Sequence, residues 1–151
     1  MGRMPQVIFL QAGPKRKEPM LPRQALRLIE DLGVEGDHHA RPRSSRQVLL
    51  MAEENCDAFG LSPGEVRENI TTRGLDLQNL PPGTVLSIGD ARLEISKDCE
   101  PCSFIDGLRP GLRAQMERRR GMLARVLQGG EVRIGDEIVT EPTRGGVPAR
   151  I

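Results

Sequence analysis

Three cysteines hold much of the chemical potential of this sequence, and two of them lie together in Cys99-Glu100-Pro101-Cys102. A thiolate is a soft metal ligand, a nucleophile and a redox group, so a CxxC segment has several uses. As half of a structural zinc site it needs two further ligands, for which Cys56, His38 and His39 are the available residues. As a thioredoxin-like pair it should follow a strand and open a long helix; here it follows a hairpin pattern, with Gly107 and Pro110 soon after. As two half-buried thiols it has no chemical role. A cysteine held at the end of a rigid strand suits one further use. It can be the single protein thiolate on a soft or high-valent metal whose other ligands come from a cofactor that brings its own sulfurs.

Two other stretches gather polar groups. In Gly33 to Ala40, Gly36-Asp37 permits a tight turn into which Asp37, His38 and His39 are crowded. That turn is either a capped surface loop or the polar wall of a pocket. Arg46-Gln47 follows, directly ahead of an apolar run, and an arginine at a strand entrance can grip phosphate or carboxylate with two prongs. Arg67-Glu68-Asn69-Ile70-Thr71-Thr72 leads into β-branched residues. As a strand it puts Arg67 and Asn69 on one face, which either meets an anionic ligand or is simply the solvated face of an edge strand.

The elements that must position these residues are short and densely punctuated, with 17 Gly and 12 Pro in 151 residues. Such a chain suits a turn-rich sheet domain and not a helical bundle. Gln6 to Ala12 reads as a strand, Gln47 to Met51 as a buried strand, Ala52 to Phe59 as a helix closed by Gly60, and Glu68 to Thr72 as a strand. Ala25, Leu28, Ile29 and Leu32 fall at helical spacing, so 22–32 reads as a short helix ended by Gly33. Val85 to Ile88 and Leu93 to Ile95 flank Gly89-Asp90, a hairpin signal, and Pro82-Gly83 suits a type II turn. Met122 to Leu127 and Glu131 to Ile134 flank Gly129-Gly130 and read as a second hairpin, with Gly111 to Arg120 as a short basic helix between the two. Short strands in this number point to a mainly β fold with a few short helices, an antiparallel barrel that is closed or partly open, because closure removes unpaired edges. One domain over 1–151 is expected, with its core over about 7–139 and a loose tail over 141–151.

Composition narrows the function classes. A net charge of +1 supplies no field for nucleic acid or an anionic membrane, and the basic clusters at Lys15 to Lys17, Arg41 to Arg46 and Arg118 to Arg120 read as solvated faces. Three Phe with no Tyr or Trp make base stacking an unsuitable mode, and three cysteines fall short of a four-thiolate iron–sulfur cage. No apolar run reaches the roughly 20 residues of a membrane helix, and no export signal is evident, which places the expected protein in the cytoplasm.

In order and spacing, GVEGDHHA, RQVLL, ENITTRGLDL, LPPGTVLSIGDARLEI, CEPC and GMLARVLQGGEVRIGDEI resemble the MOSC domain, named for the C-terminal domain of molybdenum cofactor sulfurases. The resemblance runs from about Val7 to Val139. It implies a β-barrel that binds the molybdenum cofactor, a pterin dithiolene carrying a phosphate, with a cysteine ligand to molybdenum. The second cysteine of the CxxC segment, Cys102, takes that place, with Cys99 a secondary candidate. Related amidoxime-reducing enzymes have an Arg-x-Asn that matches Arg67 and Asn69, and Arg46 and Thr71 join these as cofactor-contact candidates. Asp37, His38 and Glu68 are candidate proton donors. This chain is shorter than those enzymes, and the lysine and serine contacts of their extra N-terminal domain have no counterpart here. The leading expectation is a small stand-alone member acting as a molybdenum-dependent reductase of N-hydroxylated or N-oxide substrates. Its electrons would come from a separate flavin or iron–sulfur protein. The alternatives are a carrier, with a persulfide on Cys102 or with the cofactor itself as cargo, and a module that senses the cofactor without turnover.

Overall fold

The computed structural model describes residues 4–16 and 18–141. Its strands are β1 (Gln6–Ala12), β2 (Leu21–Arg23), β3 (Ala25–Ile29), β4 (Gly33–Val34), β5 (Val48–Ala52), β6 (Ile70–Arg73), β7 (Val85–Ile88), β8 (Ala91–Asp98), β9 (Met122–Gln128), β10 (Gly130–Arg133) and β11 (Ile138–Thr140). The helices are α1 (Glu53–Phe59), α2 (Ser103–Leu108) and α3 (Leu112–Gln115). Eight strands form one sheet in the order β11-β7-β8-β9-β5-β6-β1-β2, and β10-β3-β4 form a second. All ladders are antiparallel except β5 with β6, which run parallel. The large sheet is a partly open barrel. Gln6 at the start of β1 bridges to Glu137 just ahead of β11, drawing the two ends of the curl together.

The barrel interior is filled by alternate residues of its strands. Leu93 and Ile95 of β8, Ala124 and Val126 of β9, and Val48 and Leu50 of β5 belong to one apolar cluster. β5 is buried on both faces, which explains its unbroken apolar run. Its other face sends Met51 into a second cluster with Cys56 and Phe59 of α1, Ile105 of α2 and Leu112 of α3. Leu49 packs with Cys99 and Leu123 on that same outer side. The helices thus form a layer over the outside of β5, and the CxxC segment lies at its margin.

Several expectations match this architecture. Gly89-Asp90 is the turn between β7 and β8, and Gly60 ends α1 in the left-handed conformation. At Pro82-Gly83, Thr84 N–H donates to Pro81 O, and Gly83 has the positive φ of 94° that a type II turn needs.

Four expectations are corrected. Residues 22–32 are not a helix but β2, β3 and the approach to β4. Leu26 and Leu28 are the buried pair, with exposed Arg27 between them, so the period is two and not 3.6. Gly129-Gly130 is not a hairpin turn. β9 stays in the large sheet between β8 and β5, whereas β10 pairs with β3 in the small one. The glycines serve a close crossing instead: a Cβ on Gly129 would lie 2.8 Å from Leu28 O, and one on Gly130 would lie 2.6 Å from Asp90 Cβ. The expected helix over Gly111 to Arg120 shrinks to α3, after which Arg118 turns the chain at φ 64°. Of the tail expected to be loose, Glu141 is held by Arg92 at 2.7 Å; the rest lies outside the described residues. Among the described residues, no helix is long and apolar enough to cross a membrane.

Candidate functional site

The three thiols sit in different surroundings. Cys56 is buried in α1, and burial, with the nearby Glu68 charge, pushes its pKa up to about 12. It is a protonated core residue. Cys99 follows β8; its N–H donates to Gly121 O at 2.9 Å, and its side chain packs on Leu49 and Leu123. Burial raises its pKa, while Arg120 and Arg46 pull it the other way. Cys102 is the exposed thiol. It is the residue before α2, where its carbonyl accepts from Ile105 N–H at 2.9 Å. Cys102 is therefore fixed by the foot of a helix a few residues beyond β8, not by the strand end itself.

Residues 67–72 divide between two roles. Arg67 and Asn69 do not share a strand face, because β6 begins only at Ile70 and Arg67 adopts φ 68°. Asn69 is fully buried. Its Oδ1 accepts from Leu49 N–H at 3.0 Å and its Nδ2 donates to Gln11 O at 3.3 Å, so it clips β5 to β1. Thr71 is also buried and donates through Oγ1 to Glu68 Oε2 at 2.8 Å, where Gly64 N–H donates as well, at 2.9 Å. Burial raises the Glu68 pKa despite these donors and the Arg120 charge. Arg67 points away from this network. Its guanidinium donates to Arg16 O at 3.1 Å and lies over the Phe104 ring at 4.6 Å, two residues beyond Cys102.

The Asp37 turn docks on the loop after β1. Asp37 Oδ1 accepts from Gly13 N–H at 2.8 Å, and Oδ2 accepts from the backbone N–H and ring Nδ1 of His39 at 3.0 and 2.6 Å. Burial opposes its ionisation, but the hydrogen bonds from His39 and Gly13 win and leave the Asp37 pKa below the ordinary value. His38 Nδ1 donates to Gly13 O at 2.9 Å. Asp37, His38 and His39 bring ligand-type atoms within 4.8 Å of one another. The Asp37 oxygens and both ring Nδ1 atoms are already engaged in hydrogen bonds, which leaves the two Nε2 atoms as the ring nitrogens without a hydrogen-bond partner among the described residues.

The Arg67 charge contributes to lowering the His38 pKa, after burial and the His39 charge, and its guanidinium covers Phe104. Arg46 is exposed and acts on Cys99. Sequence reading missed two residues. Arg120, read as one of a solvated trio, is only 6% exposed, and among the described residues its Nε and Nη1 have no hydrogen-bond partner. The three arginines of that run look alike in sequence; only the fold separates them. His39 enters the sequence reading as a member of the polar turn and as an available zinc ligand but not among the proton-donor candidates, and its 2.6 Å contact to Asp37 sets it apart. Two cavities adjoin the region. One, of about 560 Å³, is lined in part by Asp98, Glu100, Pro101 and Asp106; the other, of about 480 Å³, by Gln78, Arg118 and Arg119 among others. Neither is lined by Cys102 or Arg67.

A family model for the MOSC domain matches residues 35–139. Among solved structures, the chain is similar to the YuaD protein of Bacillus subtilis, with 20% identity and a TM-score of 0.76 over 90% of this chain and 94% of that one. It is also similar to YiiM of Geobacillus stearothermophilus, with 20% identity and a TM-score of 0.72 over 91% and 75% of the two chains. YiiM of Escherichia coli gives 20% identity and a TM-score of 0.68 over 90% and 69%. At this identity these structures establish the shared fold. No curated protein matches the chain in sequence.

Proposed function

The chain belongs to the MOSC domain family, a family associated with molybdenum cofactor binding, and from that premise we propose that it binds this cofactor through Cys102 and acts as a reductase of N-hydroxylated or N-oxide substrates. The observation that carries the reading is Cys102 itself. It is the one exposed thiol of the three, fixed at the start of α2, and the neighbouring Cys99 feels the charges of Arg120 and Arg46. The donor set fits the cofactor. A thiolate suits molybdenum, and the unpartnered nitrogens of buried Arg120, with Arg46 and Arg67 near by, suit its phosphate and polar pterin edge. Asn69 and Thr71 are buried and committed to Leu49, Gln11 and Glu68, so their part is to brace the backbone that follows Arg67. When bound, the cofactor supplies a metal that accepts the substrate oxygen and cycles electrons from a separate flavin or iron–sulfur protein. The chain's own residues hold the metal, grip the anion and deliver protons.

Molybdenum and pterin, quantified per chain after anaerobic purification from a host that makes the cofactor, test this reading. Wild type and Cys56→Ser are expected to carry both, and Cys102→Ser to lose the metal or all reductase activity. Equal molybdenum and equal activity in Cys102→Ser and wild type sink the proposal.

The exposure of Cys102 favours a second reading, in which the thiol carries a persulfide for delivery to a metal centre. Neither cavity described above encloses it. Mass spectrometry of the protein incubated with a sulfane-sulfur donor, such as a low-molecular-weight persulfide that leaves as its thiol, separates the readings: an added sulfur on Cys102, in protein that holds no molybdenum, supports the carrier.

A further inference from the structure

We propose that His39, oriented by Asp37, is the residue that delivers a proton to the substrate oxygen, and that His38 beside it is not. The inference rests on the reductase reading above. Asp37 is buried and accepts the His39 ring through Nδ1 at 2.6 Å. An ionised carboxylate can only accept, so Nδ1 carries a proton and Nε2 is the atom free to take one up and release it. The N–H groups of Gly13 and His39 hold the same carboxylate at 2.8 and 3.0 Å, which locks its rotation. A buried carboxylate that fixes one histidine tautomer is the arrangement acid–base chemistry requires. The His39 side chain keeps 19% of its exposure, enough to exchange protons with substrate and water.

His38 is held differently. Its Nδ1 donates to a neutral carbonyl, Gly13 O, and its side chain is 13% exposed. Burial lowers its pKa, with the His39 and Arg67 charges acting in the same direction and the Gly13 bond and Asp37 opposing them. The charged and titratable groups acting on His38 include His39, Asp37 and Arg67, and the His39 ring meets Asp37 and His38. Arg67 also covers Phe104, two residues past Cys102. Arg67 thus connects the His38 side of the pair to the first turn of α2, which begins directly after Cys102.

The chemistry calls for such a group. Reduction of an N–OH compound breaks the N–O bond, forms an N–H bond and releases water, consuming two electrons and two protons. The electrons come from the external flavin or iron–sulfur protein. One proton leaves His39 Nε2 for the departing oxygen, and the ring returns to its neutral Nδ1–H form. The other proton comes from solvent and ends on nitrogen, and solvent then recharges the ring.

Two measurements on the full chain test the proposal. Long-range nitrogen–proton NMR correlations on the apo protein are expected to give an Nδ1–H tautomer for His39 that becomes mixed in Asp37→Asn. Turnover of an aryl amidoxime by cofactor-loaded protein, with reduced methyl viologen as electron source, is expected to fall about a hundredfold or more in His39→Gln. The alkaline limb of the rate profile should vanish in that variant, with molybdenum content unchanged, and His38→Gln should keep both rate and profile. An Nε2–H tautomer in wild type overturns the proposal, as does an unchanged rate profile in His39→Gln. A molybdenum-free, inactive wild type overturns the reductase reading and takes this inference with it. An active, loaded wild type with an unaffected His39→Gln overturns the inference alone.

Discussion

Asp37 and Glu68 are both buried carboxylates, yet they titrate in opposite senses. At Asp37, burial is outweighed by donors on both oxygens, and the pKa falls below its ordinary value. At Glu68, burial outweighs the Gly64 and Thr71 donors, and the pKa rises; Oε1 has no partner among the described residues. The linkage signs follow. Asp37 contributes stability that is present above its unfolded pKa and lost as pH falls through the folded one. For Glu68 the folded chain binds its proton more tightly than the unfolded chain does, so stability declines as pH rises from the unfolded pKa through the folded one. Glu68→Gln is expected to remove that decline and to leave neutral-pH stability equal or higher, read from urea unfolding at a series of pH values. The same slope in wild type and variant would contradict the assignment. Arg67 carries a separate expectation. Losing a charge-assisted contact costs about 1.5–3 kcal/mol, so Arg67→Ala should weaken cofactor retention roughly tenfold or more. Arg119→Ala, on an exposed side chain, should change retention little. Equal retention in the two variants would remove Arg67 from the site.

At the scale of elements, legibility followed whether the partner was local. The β7–β8 hairpin and the α1–Gly60 stop were readable because turn, flanks and cap are adjacent in sequence. β3 was misread as a helix because its ladder partner, β10, lies far along the chain, and Leu26 and Leu28 make sense as a pair only once that ladder exists. Gly129-Gly130 was misread for the same reason, since no local pattern reveals a crossing over Leu28 and Asp90. The site was partly legible. Its segments were recognised, but the buried clip made by Asn69, the depth of Arg120 and the Asp37–His39 contact depend on packing between distant strands and loops. The crossing can be tested. Gly129→Ala presses a methyl against backbone and should cost about 1–3 kcal/mol in chemical unfolding. Gly107→Ala, in open space within α2, should be neutral or stabilising by up to about 1 kcal/mol. If both variants behave alike, the close approach of β9–β10 to β3 is wrong.

The whole molecule depends on how its curled sheet meets itself. Besides its ladder with β6, β1 is used twice: its second half pairs with β2, while its start is bound by the segment leading into β11. Val7 N–H donates to Asp136 O at 2.9 Å, Gly135 N–H to Val7 O at 2.8 Å, and Ile138 N–H to Pro5 O at 2.8 Å. These bonds close the seam of an otherwise open ladder, and Val7 and Ile138 are both buried in the barrel core beneath it. Closure matters for function because β1 leads directly into Gly13, on which the Asp37 turn rests. A seam that opened would release the loop that fixes His38 and Asp37. If the seam belongs to the cooperative fold, the amides of Val7, Gly135 and Ile138 should exchange with solvent only through global unfolding, as slowly as those of β5. Their exchange free energies should then fall in step with the global value when a core leucine such as Leu50 is shortened to Ala, a change expected to cost about 2–5 kcal/mol. Fast exchange at these three amides, indifferent to Leu50→Ala, would mean that the barrel opens along this line while its core stays folded. The Gly13–Asp37 contact would then have to be stabilised by something other than barrel closure.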